Sequence, residues 1–122
     1  MSDSVLLKLT RDSILEVYQA KRIIDKKSIL TLYPVLNETI NVIVEIFLDD
    51  ELRGYYKSDN ELILLENIII GAKKAAFEST KFPPLTSSEY LHVKIKLTLL
   101  TKEDNMSEVS MPLFDKEAQI LL

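Results

Sequence analysis

The chain has 122 residues, 47% of them hydrophobic and 28% charged, with fifteen Lys and Arg against nineteen Asp and Glu for a net charge of −4. That length fits one packed domain, and the mix of apolar and charged residues excludes a disordered or low-complexity polymer. The absence of cysteine excludes disulfides, thiolate nucleophiles, cysteine-type zinc sites and iron–sulfur ligation, and the single histidine, His92, excludes motifs built on two histidines.

The basic residues come in short pieces, Lys21-Arg22, Lys26-Lys27 and Lys73-Lys74, so a nucleic-acid partner is disfavoured. The N-terminus lacks the basic and apolar regions of a signal peptide. No apolar run approaches the roughly 20 residues of a membrane helix. A cytoplasmic protein without membrane contact is therefore expected. Thirteen Ile, twenty Leu and only two Gly match a thermophile-like composition, which compositional drift also produces.

In chain order, Ser4 to Ala20 carries Leu7, Ile14 and Tyr18 on one helical face, flanked by Thr10 and Val17, with Asp3 or Ser4 as N-cap. Arg22 to Lys27 reads as a charged connector. Ser28 to Tyr33 is short, apolar and partly β-branched, and Pro34 ends it, which predicts an edge strand or an extended loop. From Ile40 to Leu48 the even positions are all apolar, predicting a strand with one core face. Asp49-Asp50-Glu51 is a turn, and Leu52 to Lys57 is the returning strand. Gly54 inside it marks a bulge or a close backbone approach.

Ser58, Asp59 or Asn60 is expected to cap a helix from about Glu61 to Glu78. Leu62, Leu65, Ile69, Ala72 and Ala76 form one apolar stripe of that helix. Ile63, Ile70 and Phe77 recur on another side, so the helix is either buried on both sides or contributes to an interface. Gly71 within it suits close packing of another element. Phe82-Pro83-Pro84-Leu85 is a rigid extended loop. Thr86-Ser87-Ser88-Glu89 matches a capping box. Leu91 to Leu99 alternates apolar residues with His92, Lys94, Lys96 and Thr98, predicting a half-buried antiparallel strand with a basic outer face. Lys102 to Glu108 reads as a polar loop, and Pro112 to Leu122 as a final strand or docked tail. The order α-β-β-α-β predicts an α+β fold, an antiparallel sheet flanked by helices in a single compact domain.

Two blocks carry a resemblance. Glu51-Leu52-Arg53-Gly54 precedes Ala75-Ala76-Phe77, which runs through Glu78-Ser79-Thr80-Lys81 into Phe82-Pro83-Pro84-Leu85-Thr86. Together they resemble the AMMECR-domain family, over about Leu6 to Tyr18 and Val42 to Thr101. In that family an aliphatic strand leads into Leu-Arg-Gly-Cys-Ile-Gly, and a helix ending Ala-Ala-Phe leads into Arg-Phe-Pro-Pro-Leu-Thr. Here Tyr55 stands in place of the cysteine, Tyr56 of the isoleucine, Lys57 of the second glycine and Lys81 of the arginine. The family domain also continues through a second glycine-rich segment, so this chain resembles a shortened member without the cysteine loop. The resemblance implies a central antiparallel sheet flanked by helices. For members generally it implies association with radical-SAM and Memo-type proteins in a nucleobase- or small-molecule-modifying system.

The residues themselves offer few reactive groups. Tyr55 offers only a phenol, a poor nucleophile at neutral pH. Arg53 is the best candidate for a functional charge, suited to a carboxylate or phosphate. Its alternative is a cross-strand ion pair with Glu45. Asp49, Asp50 and Glu51 make a solvated turn more readily than a Mg²⁺ or Ca²⁺ site. With only Gly54 and Gly71, no glycine-rich phosphate cradle exists, and no cofactor, metal or catalytic residue is assigned. Two functions remain open. One is a non-catalytic protein-interaction or binding module, with Ile63, Ile70 and Phe77 at an interface to a protein partner or a second copy. The other is a minimal enzyme or small-ligand receptor, in which Arg53, Tyr55, Tyr56 and Lys57 line a pocket with the Phe82–Leu85 loop and Arg53, Gly54, Tyr55 and Phe82 are the ligand-binding residues. A third, electrostatic partnership with a basic protein, is permitted by the net charge.

Overall fold

A computed structural model describes residues 3–114. The first helix, α1 (Val5–Gln19), starts at Ser4, whose hydroxyl accepts the Leu7 N–H, and ends at Ala20 in the left-handed region. Leu7, Thr10 and Ile14 are buried as the periodicity predicts, together with Leu9, Arg11 and Ser13, while Val17 stays exposed.

The segment expected to be extended at Ser28–Tyr33 is helical. It belongs to α2 (Lys26–Leu32), capped by Asp25, which accepts the Ser28 N–H on one carboxylate oxygen and the Ser28 hydroxyl on the other. That cap and the half-buried seats of Ile29 and Leu30 against the core outweigh the β-branched character of Ile29 and Thr31. Pro34 then opens a 3-10 turn, Pro34–Asn37, where its missing N–H costs nothing.

Four antiparallel strands follow: β1 (Asn41–Leu48), β2 (Glu51–Lys57), β3 (Lys94–Leu100) and β4 (Met106–Ser110), in spatial order β2-β1-β3-β4. Val42, Val44 and Ile46 of β1 and Val93, Ile95 and Leu97 beside them are fully or almost fully buried, whereas Glu45, Phe47, Lys94 and Lys96 on the other face are only half-buried. Leu91 falls at the end of a helical turn, so β3 begins at Lys94 rather than Leu91. The polar loop expected through Glu108 ends at Asn105, because Met106 to Ser110 pairs with Ile95 to Leu99 as the fourth strand. Of the expected strand or tail at Pro112 to Leu122, the part beyond Phe114 lies outside the described residues.

The third helix, α3 (Leu64–Phe77), packs on β1 and β2. It starts three residues later than its apolar pattern predicts. Ile63 is bridged to Thr39 and the Leu64 N–H reaches the Glu38 carbonyl, so the backbone at Ile63 is held in extended form and the helix starts after it. Ser58 does not cap this helix. Its hydroxyl accepts the Val42 N–H at 2.8 Å and donates to Asn41. Leu65, Ile68, Ile69, Ala72, Ala75 and Ala76 are buried, while Leu62, ahead of the helix, is exposed.

Arg11 ties α1 to the far side of the sheet. The residue is 4% exposed, and its guanidinium donates to the Ser110 hydroxyl and to the carbonyls of Tyr90, Val93 and Met111. Burial lowers its pKa from the ordinary value, but this array of oxygens keeps the cation solvated by protein. The antiparallel sheet, its flanking helices and the single core make the α+β domain that the order of elements predicts.

Candidate functional site

The site is built where β2 bends. Ile46 pairs with Gly54 and Phe47 with Leu52, which leaves Arg53 as the extra residue of a β-bulge. Gly54 sits directly under α3: a Cβ there would fall on the Ala75 carbonyl oxygen, far inside the 3.0 Å that real Cβ atoms keep. Glycine is therefore required by the close approach of strand and helix. Tyr55 and Tyr56 take opposite faces. Tyr56 turns toward α3, with the Lys74 ammonium 5.7 Å from its ring centre, and Tyr55 is 42% exposed.

The bulge aims Arg53 at the Phe82–Leu85 loop and at the short helix α4 (Ser87–Tyr90) that follows. Its Nε and Nη2 hold the two carboxylate oxygens of Glu89 at 3.0 and 2.9 Å, Nη1 donates to the Pro83 carbonyl at 2.8 Å, and Nη2 also reaches the Pro84 carbonyl at 3.3 Å. The expected partner Glu45 is not used; it lies opposite Tyr55 and Lys96 in the sheet. Glu89 completes the capping box as well, accepting the Thr86 N–H while Thr86 accepts its own. The hydrogen-bonded Arg53 guanidinium, against the opposing effect of partial burial and aided by the Thr86 N–H, holds the Glu89 carboxyl below its ordinary range.

The loop is fixed from its other side too. The Leu85 N–H donates to the Ala76 carbonyl at 2.8 Å and the Tyr18 hydroxyl donates to the Leu85 carbonyl at 2.6 Å. Burial, with the Glu89 and Tyr90 charges adding to it, pushes the Tyr18 phenol up to about 12, so it remains a donor. Its ring meets Phe77 and Tyr90 edge-on, with centroids 5.3 and 5.8 Å away. Prolines leave few donors in this segment, and its carbonyls are met by Arg53 and Tyr18.

Between β2 and this loop lies a notch of about 370 Å³ lined by Leu52, Tyr55, Ser79, Thr80, Lys81 and Phe82. The notch brings Tyr55 and Phe82 together, while Tyr56 and Lys57, expected in the same pocket, do not line it. Arg53 and Gly54 support the notch without lining it. The Tyr55 N–H on the outer edge of β2 donates to the Ser79 hydroxyl, which in turn donates to the Ala75 carbonyl. Lys57 lies at the other end of β2, beside Asn41 and Asp59. Ile63, Ile70 and Phe77 are each half-buried, and Ile63 and Phe77 pack against the core. His92 is half-buried beside Phe114, with Nδ1 3.2 Å from its carbonyl oxygen. Lys94 faces Asp50 at 3.4 Å and the Phe47 ring at 5.6 Å. Asp49 and Asp50 form the hairpin turn, both with positive φ. Glu89, Ser79 and Tyr18 are the site-building residues that the sequence reading missed. Glu89 was visible as a capping residue, but nothing local marks Arg53, 36 positions away, as its partner.

Among the described residues no helix is long and apolar enough to cross a membrane. The sequence matches no curated protein. The crystal structure of an uncharacterised protein from Pyrococcus horikoshii is similar, with 25% identity and a TM-score of 0.68 over 79% of this chain and 49% of that one. The match therefore spans about half the length of that protein. The AMMECR1 family model matches residues 7–118, which takes in the Arg53 bulge, α3 and the Phe82–Leu85 loop, and the chain belongs to that family.

Proposed function

We propose that this AMMECR1 domain is a non-catalytic binding module whose notch beside β2 receives an apolar or aromatic group. The observation that carries the proposal is the state of Arg53. The candidate functional cation is engaged by one carboxylate and two prolyl carbonyls of its own chain, so it acts as a clamp that sets the loop. What the clamp shapes is an apolar notch with Leu52, Tyr55 and Phe82 as its contact surfaces and Lys81 at its rim. Tyr55, in the cysteine's place, contributes an amphipathic wall rather than a nucleophile.

The test is a fragment screen by NMR against the full chain, repeated with Tyr55→Ala and Phe82→Ala. Fragments of aromatic or branched aliphatic type are expected to shift the signals of Leu52, Tyr55 and Phe82, to bind several-fold more weakly to either variant, and to be recovered unchanged. Chemical conversion of a bound fragment that disappears in Tyr55→Phe would support the minimal-enzyme reading instead.

A further inference from the structure

The opposite edge of the sheet, far from the notch in strand order, has different properties. β4 is an edge strand. The Val93 carbonyl points to Arg11, between the ends of β3 and β4, and alternation then turns the backbone groups of Ile95, Leu97 and Leu99 toward β4. Their partners Ser110, Glu108 and Met106 face inward, so Ser107 and Val109 turn their N–H and C=O groups outward. Among the described residues no further backbone group meets them. Alongside runs a groove of about 730 Å³ between the start of α1, at Asp3 and Ser4, and the segment Met111–Leu113.

The two sides of this edge differ in chemistry. On the helix side stand the carboxylates of Asp3 and Glu108, with one oxygen of each taken by a serine hydroxyl, Ser110 and Ser4 respectively. Among the described residues no Lys or Arg lines the groove, and Arg11 is buried with its donors on Ser110, Tyr90, Val93 and Met111. On the outer side stands Val109, 44% exposed, with Met111 and Leu113 following at 65% and 53%. Val109 lies opposite Lys96, which repels a second cation on that face. The strand itself carries neither a lysine nor a proline, and Glu108 is its one charged residue, so a segment that pairs with this edge must bring a compensating cation.

We propose that β4 accepts an extended segment of a protein partner as a fifth strand, and that the segment alternates basic and apolar residues. Its backbone pairs with Ser107 and Val109. Its basic side chains lie on the helix side near Asp3 and Glu108, and its apolar side chains lie on the outer side beside Val109. The occupant is specified by charge: the helix side is acidic at Asp3 and Glu108, with Met106 at its far end, and the outer side is apolar at Val109 beside a lysine. This surface is independent of the notch, and the proposal stands or falls separately from the reading given for that site.

The probe is an end-blocked octapeptide of alternating Lys and Val, with the alternating Glu and Val peptide as control, titrated into the full chain and followed by amide NMR and hydrogen exchange. The Lys peptide is expected to bind at least ~10-fold more tightly than the Glu peptide and to weaken as salt rises. It should slow exchange of the Ser107 and Val109 amides by ~10-fold or more at saturation. Glu108→Gln is expected to weaken binding several-fold. Val109→Pro, which removes an outward N–H at an edge position where proline is tolerated, is expected to abolish it. Equal affinity for the two peptides, or shifts that map to Tyr55 and Phe82 instead, would overturn the proposal. So would Ser107 and Val109 amides already protected in the peptide-free monomer, which would mean that the chain covers its own edge. Protection that grows with protein concentration alone would assign the edge to a second copy and overturn it as well.

Discussion

Two glycines, one substitution each, separate the close approach that builds the site from ordinary helix packing. In Gly54→Ala the new methyl collides with the Ala75 carbonyl oxygen, and also lies 3.2 Å from the Ala75 carbonyl carbon and 3.3 Å from Ile46 Cδ1. The obstacle is backbone, so no rotamer change relieves it, and β2 and α3 must part by roughly half an ångström or more. A gap of that size forfeits a quarter to a half of the dispersion well at each affected contact, and overpacking of this kind costs about 1–3 kcal/mol. The upper end applies here, about 3 kcal/mol, because α3 presents Leu65, Ile68, Ala72 and Ala75 to the core as one rigid face. For a chain of this length that is a drop of roughly 12 °C in Tm. In Gly71→Ala the nearest atoms are side-chain methyls, Val44 Cγ2 at 3.2 Å and Val42 Cγ2 at 3.4 Å. Replacing a mid-helix glycine gains about 1 kcal/mol of helix propensity, which offsets the tight fit, so the change is expected to fall within ~1 kcal/mol of zero. Urea denaturation of both variants gives the comparison. A cost below about 1 kcal/mol for Gly54→Ala, or equal costs for the two, would refute the argument that the Ala75 carbonyl fixes the strand–helix distance.

Glu16 gives an acid-side prediction. Partial burial alone would raise its pKa, but the Ile24 N–H, the Lys73 ammonium at 2.9 Å and the Ile23 N–H bring it down to about 2 from an ordinary 4.5. A depressed folded pKa means that its stabilisation is complete above pH 4.5 and is lost as pH falls toward 2. With screening of the partly exposed pair allowed for, Glu16→Gln should cost about 1–2 kcal/mol at neutral pH, and the gap between variant and parent should narrow across that acid window in a pH series of thermal melts. The hairpin turn gives a stabilising prediction. Asp49 and Asp50 hold φ of 52° and 64°, the left-handed pair that a two-residue turn demands and that Asn-Gly adopts more readily. The double change Asp49→Asn, Asp50→Gly should raise stability by about 1 kcal/mol, read as a Tm increase of roughly 4 °C. The Lys94–Asp50 pair it removes is worth little, because the Asp50 side chain is 92% exposed.

Short-range patterns carried most of the fold. The even-position apolar run of β1 and the alternation of β3 translate directly into buried Val42, Val44, Ile46, Ile95 and Leu97. The Thr86–Glu89 capping box forms as read, and Gly54 marks both alternatives at once, a bulge and a close approach. Where two local signals compete, the reading failed. Ile29 and Thr31 favour a strand, but the Asp25 cap and the burial of Ile29 and Leu30 favour α2. β4, Met-Ser-Glu-Val-Ser, holds a single β-branched residue and is specified by pairing with β3 rather than by its own composition. The site was half legible. Tyr55 and Phe82 come together in the notch, whereas the clamp from Arg53 to Glu89 spans 36 positions: Gly54 signals the bulge, but nothing local names the carboxylate that Arg53 meets.

If Arg53 serves its own fold, a double-mutant cycle with Glu89 will register it as lost stability and as coupling between the two residues. Arg53→Ala, Glu89→Gln and the combined variant would be compared by chemical denaturation at neutral pH. The Arg53 side chain is 13% exposed and the Glu89 side chain 26%, so the pair lies between a surface and a buried ion pair. Because Arg53→Ala also strips the Pro83 and Pro84 carbonyls of their donor, it is expected to cost about 2–3 kcal/mol, with a coupling to Glu89 of about 1–2 kcal/mol. Arg53→Ala with stability unchanged to within about 0.5 kcal/mol and no coupling to Glu89 would contradict the account. The charge would then be free for a ligand, and the minimal-enzyme or receptor reading would take its place.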